Sequence, residues 1–238
     1  TLSFSWAFSN YGDAFSRYDE QIIRSFEYAL TATLLALALA YPLAYVIAFK
    51  AGKWKNLLLG LVIVPFFITF IVRTLAWKTI FGDDTILVGI LDSLGLTENG
   101  RILSTQWAVI GGLTYNFLPF MILPIYVSIE KIDPRLLEAA RDLYAGGFRT
   151  FRKVLLPLSL PGVLAGSLLT FIPAAGDFVN AQYLGGVNQS MVGTVIQSQF
   201  LVTKDYPLAA ALSFVLMLII LVSVLIYTRI LGTEDLVA

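Results

Sequence analysis

The chain has 238 residues, 58% of them hydrophobic and only 13% charged, with a mean hydropathy of +0.79. A soluble domain carries about 25% charged residues, so this composition points to a membrane-embedded body. Sixteen basic residues balance sixteen acidic ones, which leaves no electrostatic footprint for nucleic acid. The absence of cysteine and histidine excludes disulfides, thiolate or imidazole metal sites and histidine-based catalysis, so neither a catalytic nor a metal-ligating set is expected.

Residues 1–24 mix Phe4, Trp6, Phe8, Tyr11, Phe15 and Tyr18 with Ser, Asp and Arg, a composition suited to the membrane–water boundary. They are expected to form an extracytoplasmic segment ahead of a transmembrane body at 25–230. The first span is predicted at 28–49, a charge-free stretch long enough to cross the hydrocarbon core. Lys50, Lys53 and Lys55 follow. A second span is predicted from 57 to 72, reaching about 79 if Arg73 and Lys78 are tolerated near its far end. A loop at 81–101 carries Asp83, Asp84, Asp92 and Glu98. The third span, 107–129, holds Gly111, Gly112, Pro119 and Pro124.

A dense run of charge comes next. Between Glu130 and Lys153 lie the basic residues Lys131, Arg135, Arg141, Arg149, Arg152 and Lys153 and the acidic residues Glu130, Asp133, Glu138 and Asp142. Such a segment does not sit in lipid, so 130–157 reads as a water-facing loop. Ala139, Ala140 and Leu143 share one helical face. Gly146 and Gly147 allow a turn into a second short helix, with Phe151, Val154 and Leu155 on its apolar side. Pro157 and Pro161 frame the entry to the next span. The plainer alternative is an interfacial amphipathic helix that binds no partner. The fourth span is predicted at 158–183, broken by Pro173 and Gly176, and the fifth at 206–228, followed by a short tail at 231–238.

The loop resembles a known motif. Glu138-Ala139-Ala140, with Phe151, Pro157 and Pro161 downstream, is similar to the EAA loop of ABC-importer permeases of the binding-protein-dependent, MetI-like family. Tyr144 stands where that family's pattern has glycine. From about 41 to 211 the chain is similar to the permeases of spermidine/putrescine importers, through Tyr126–Lys131, Leu136–Leu143, Pro173–Asp177, Leu184–Gly186 and Gln199–Leu201. The resemblance implies an all-α polytopic membrane protein with the type I ABC importer permease fold. It also implies a second permease subunit, two ATP-binding subunits, an extracytoplasmic substrate-binding protein and surrounding lipid as partners. Glu138, Ala139, Ala140, Leu143, Gly146, Gly147, Phe151 and Pro157 are then the ATPase-coupling residues. The resemblance further implies that this chain carries no cofactor and no enzyme activity, with ATP and Mg on the partner ATPase. Relatives that carry iron, thiamine or phosphonates keep the solute open.

Alternating spans place Lys50–Lys55, the 130–153 loop and Arg229 on one side, which is cytoplasmic by the positive-inside rule. The N-terminus is then outside, and with six spans usual in the family, one N-terminal span is expected to be missing. Asp177 and Arg73 lie inside spans and are candidates for the substrate pathway, a carboxylate beside a broken helix suiting a cationic solute. The plainer alternative is that both snorkel to the outer interface or pair with each other, and of the two it is Arg73 that reads as structural. In the outer loop, Met191, Val192, Val195, Ile196 and Phe200 form an apolar stripe at helical spacing, suited to a gate element or to an interfacial helix. No phosphate-binding G-x-x-x-x-G-K-[ST] motif occurs, and no internal repeat of the kind secondary transporters carry is visible.

Overall fold

In the computed structural model, residues 9–95, 97, 100–142 and 146–231 are described. Helix α1 spans Ser9–Phe49, α2 Lys55–Ile63, α3 Phe70–Ile80, α4 Ile86–Ser93, α5 Gln106–Glu130 and α6 Pro134–Asp142. The chain continues through α7 at Gly147–Thr150, α8 at Leu156–Ala175, α9 at Val179–Leu184, α10 at Val192–Ser198 and α11 at Tyr206–Leu231. There is no strand among the described residues. Among the described residues, four helical stretches are long and apolar enough to cross a membrane: Ala14–Phe49, Gln106–Glu130, Gly147–Ala175 and Tyr206–Arg229. The pair Gly52–Phe67 and Phe70–Ile80 gives a fifth crossing if it is taken as one bent span.

Residues 1–8 of the polar-aromatic segment, with Phe4, Trp6 and Phe8, lie outside the described residues; from Ser9 the segment is helix and runs on into the first span, with a non-helical φ/ψ at Tyr18. Ala29, Ala32, Ala36, Ala40 and Ala44 are fully buried along one seam of α1. In lipid the apolar surface of a helix gains little from meeting another, so spans associate where small side chains let backbones approach. That seam packs against α5, the most enclosed of the spans. Helix α8 closes on α5 by the same device. A Cβ on Gly162 would lie 2.5 Å from the Pro124 carbonyl oxygen and 2.5 Å from Ser128 Cβ. The Gly162 amide donates to Ser128 Oγ at 3.2 Å, so a polar side chain on α5 meets backbone on α8 at the contact.

Two spans differ from expectation. The second does not run straight from 57 to 79. It narrows to a 3-10 turn at Val64–Phe67, passes through extended Ile68 (φ −96°, ψ 133°) and Thr69 (φ −58°, ψ 145°), and restarts as α3 at 97° to the first half. Pro65, which has no amide hydrogen for the helical ladder, sits where regular helix stops. The fourth span does break, but only after Ala175: Pro173 stays inside α8, and Gly176 ends it. In the 184–205 loop the apolar stripe does form a helix, α10, with Met191 and Val192 fully buried. Val192, Val195 and Ile196 pack with residues of α1 and α11, whereas Phe200 remains exposed.

Candidate functional site

The charged loop folds as a helix, a turn and a second helix. Asp133 precedes α6 and its carboxylate accepts the Arg135 amide at 2.9 Å, a cap that satisfies an otherwise orphaned donor at the helix start. Along α6, Leu137 is buried against Ile132, Ile129 and Leu155, Ala140 is half-buried, and Glu138 and Ala139 are exposed. The sequence puts Ala139, Ala140 and Leu143 on one helical face; the residue of α6 buried against the rest of the chain is Leu137. Leu143 and Tyr144 lie outside the described residues. Gly146 is extended at φ −60°, ψ 158°, and a Cβ on Gly146 or Gly147 would meet nothing within 4 Å. Neither glycine is needed here for a left-handed backbone or a close approach.

From Gly147 the chain is helical without interruption into the membrane. Helix α7 passes through a wide π turn at Phe151–Leu155 and becomes α8. Pro157 falls just after the π turn, and its missing amide removes one bond from the ladder where the register shifts. Pro161 is inside α8 rather than at its entry. Phe151 is therefore fixed on the element that becomes the span.

Phe151 meets α1. Its ring stands edge-on to Tyr41, with centroids 5.3 Å apart at 87°, an arrangement that aligns ring edge with ring face. The Tyr41 hydroxyl lies 2.7 Å from Ser159 Oγ. Ser159 spends its own proton on the Leu155 carbonyl at 2.7 Å, so Tyr41 is the donor. Next to this contact is a cavity of about 330 Å³ lined by Tyr41, Pro42, Tyr45, Leu137, Phe151 and Leu155 together with Gly147 and Thr150. Lys55, at the start of α2, pairs with Glu130 at the end of α5 and lies 5.5 Å from the Tyr126 ring centre. The loop thus rests on α1, α5 and α8 together. Tyr41, Ser159 and the Lys55–Glu130 pair were not singled out from sequence, because their partners are 118 and 75 residues away.

A second polar cluster lies among α3, α5 and α9. Asn116 Nδ2 donates to Asn180 Oδ1 at 3.0 Å and to Thr74 Oγ1 at 3.2 Å. All three residues have no solvent exposure in this chain. Asn116 Oδ1 and Asn180 Nδ2 remain without a partner. A Cβ on Gly112 would sit 2.7 Å from Asn180 Oδ1, so glycine there lets α9 close on α5. Both ionisable residues attach to this cluster. The Asp177 carboxylate accepts the Asn180 amide at 2.7 Å and so caps the helix that restarts after the break. Arg73 Nη1 reaches the Asn116 carbonyl at 3.5 Å, and its guanidinium lies 5.7 Å and 5.4 Å from the Phe66 and Phe70 rings. Both are buried, so neither snorkels, and they form no ion pair with each other. Sequence reasoning missed Thr74, Asn116 and Asn180; an asparagine in the middle of a charge-free span was the available signal.

Residues 21–231 match the family described as binding-protein-dependent transport system inner membrane component. The chain is 41% identical over 229 residues to the spermidine/putrescine transport system permease protein PotB of Haemophilus influenzae, covering 95% of this chain and 80% of that one. It is 42% identical over 213 residues to PotB of Escherichia coli K12, covering 89% and 78%. Its fold is similar to a chain in the crystal structure of a bacterial ABC transporter that imports the acidic polysaccharide alginate. The TM-score there is 0.66 at 18% identity, covering 92% of this chain and 82% of that one.

Proposed function

The chain belongs to the binding-protein-dependent inner membrane permeases of ABC transporters, and from that premise we propose that it forms part of the path by which spermidine and putrescine enter the cell. The observation that carries this reading is the 41–42% identity, over 89–95% of the chain, to permeases named for those two solutes. Permeases of this family work with an ATPase that is a separate subunit and with a binding protein, so ATP is consumed off this chain. A secondary-transporter reading falls with the family assignment. The assembly proposed is a second permease, two ATP-binding subunits and a binding protein on the outer face.

In this proposal the loop at 130–157 faces the cytoplasm and α6 docks on the ATPase through its exposed Glu138–Ala139 side. When ATP draws the ATPase subunits together, α6 and α7 move. Because α7 runs into α8 without a break, and Phe151 and Ser159 hold Tyr41, the displacement reaches α8 and α1 together. ATP binding thus biases a two-state membrane element through differential contacts on its partner. Asp177 and the acceptor oxygen of Asn116 supply the electron-rich groups a polyammonium solute needs. They are enclosed in this conformation and would open to the path as the α8–α9 break shifts.

Reconstitution with the partners tests the reading. Binding protein loaded with spermidine or putrescine should stimulate ATP hydrolysis and drive uptake of the same solute. Glu138→Ala should reduce uptake and ATPase stimulation together while the chain still inserts. Stimulation by iron, thiamine or phosphonate binding proteins, with none by the polyamine forms, would replace the solute and keep the permease.

A further inference from the structure

Two cavities flank the contact between Tyr41 and Phe151. The first, of about 330 Å³, lies toward Tyr45 and Leu137. The second, of about 310 Å³, shares Tyr41, Pro42 and Phe151 with it and continues along α1 and α8 past Ala38, Leu37 and Val163. Their shared walls make one apolar groove between α1 and α8. It runs from Tyr45 to Leu37, about 12 Å of helix axis. Ala38 and Pro42 are exposed, so the groove is open along α1.

At its Tyr45 end the groove meets charge. Phe49 closes the stretch of α1 that is long and apolar enough to cross a membrane. Lys50 follows at once, its ammonium 5.8 Å from the Tyr45 ring centre. Lys53 comes after the turn at Gly52 (φ +49°) and lies 5.8 Å from the ring of exposed Trp54. Both lysines are exposed. Among the described residues neither has an acidic partner, whereas Lys55 is paired with Glu130. Loop charge places this end at the cytoplasmic leaflet, where acidic headgroups attract juxtamembrane lysines and an indole suits the interface.

An apolar groove with a cationic mouth matches an anionic amphiphile. An acidic protein surface would satisfy the lysines and leave the groove unfilled. A neutral lipid would fill the groove and leave two ammonium groups without a counterion. We propose that the groove holds an acyl chain of an acidic phospholipid whose phosphate sits on Lys50 and Lys53. The chain then lies against Tyr41 and Phe151, the pair that joins α1 to the loop, so the lipid tunes how firmly α1 follows α7 and α8. That regulatory consequence rests on the coupling role proposed above; the binding site does not.

The full complex, reconstituted in phosphatidylcholine vesicles, is irradiated with a trace of phosphatidylglycerol carrying a diazirine in its acyl chain. Peptides covering 37–45 and 151–163 should carry the label, severalfold more than with the matching phosphatidylcholine probe. Lys50→Gln with Lys53→Gln should lower labelling severalfold, and Ala38→Phe should lower it with both lysines in place. Equal labelling by the two probes, or labelling indifferent to the lysines, overturns the site. The chain has no cysteine, so Ala38→Cys gives a unique position for a benzophenone; an adduct with a protein subunit instead of lipid also overturns it. Unlabelled phosphatidylglycerol should raise spermidine uptake per ATP in wild type and not in the double lysine variant. Correct labelling with an unchanged ratio overturns the regulatory role alone. Correct labelling with no spermidine uptake in either lipid leaves the site standing and removes the polyamine reading.

Discussion

Asn116 shows how much a single residue carries inside a span. Its side-chain amide joins α3 to α9 through Thr74 and Asn180, in surroundings where no water replaces a lost partner. Asn116→Leu should strip both bonds and destabilise the α9 packing by about 1 kcal/mol, within the range measured for hydrogen bonds between membrane helices. Thermal unfolding of the detergent-solubilised complex would measure it, and an unchanged midpoint would show that the cluster contributes no net stability. The two glycine sites make an opposite pair. Gly146→Ala meets open space at a negative φ, so uptake should not change. Gly162→Ala drives a methyl onto the Pro124 carbonyl and should cost about 1–3 kcal/mol, the usual range for overpacking.

At the scale of elements, the continuity of α7 with α8 is the mechanical fact of the loop. A turn with free rotation would let α6 move without the membrane; a continuous helix passes displacement on. The wide π turn at Phe151–Leu155 is the point where the helical ladder shifts register and where bending concentrates. The hydrogen bond from Tyr41 to Ser159 ties the same stretch to α1. Tyr41→Phe keeps the ring against Phe151 and removes only that bond. The expected result is ATP hydrolysis close to wild type with less solute moved per ATP; equal ratios in the two proteins would confine the lever to α8.

For the whole molecule, burial follows the division of labour among spans. Helix α5 is enclosed by α1, α8 and α9, while α2, α3 and α11 keep most of their apolar side chains outward. In the assembly proposed above, α5 would serve as the centre, with a periphery that other chains or lipid complete. The Lys55–Glu130 pair bridges the two regimes, joining the outward-facing second span to the central helix where the loop departs. Reversing both charges (Lys55→Glu with Glu130→Lys) should preserve uptake better than either single reversal. The gain is small at so exposed a pair, and a double-mutant cycle on transport rate would read it.

The sequence by itself determined the membrane class, the order of the spans, the charged loop between the third and fourth, and the family, through Glu138-Ala139-Ala140 and the residues around it. Those features are local: hydropathy over about 20 residues sets a span, and loop charge sets what stays in water. Leu137 as the inward anchor, the right-angled elbow after Pro65, the cap role of Asp177 and the Thr74–Asn116–Asn180 cluster were decided only by tertiary structure. Each depends on groups far apart in the chain. The 3.6-residue period says which residues share a face, but not which face another helix will cover. That choice is made by small residues and polar partners that meet only once the helices have packed.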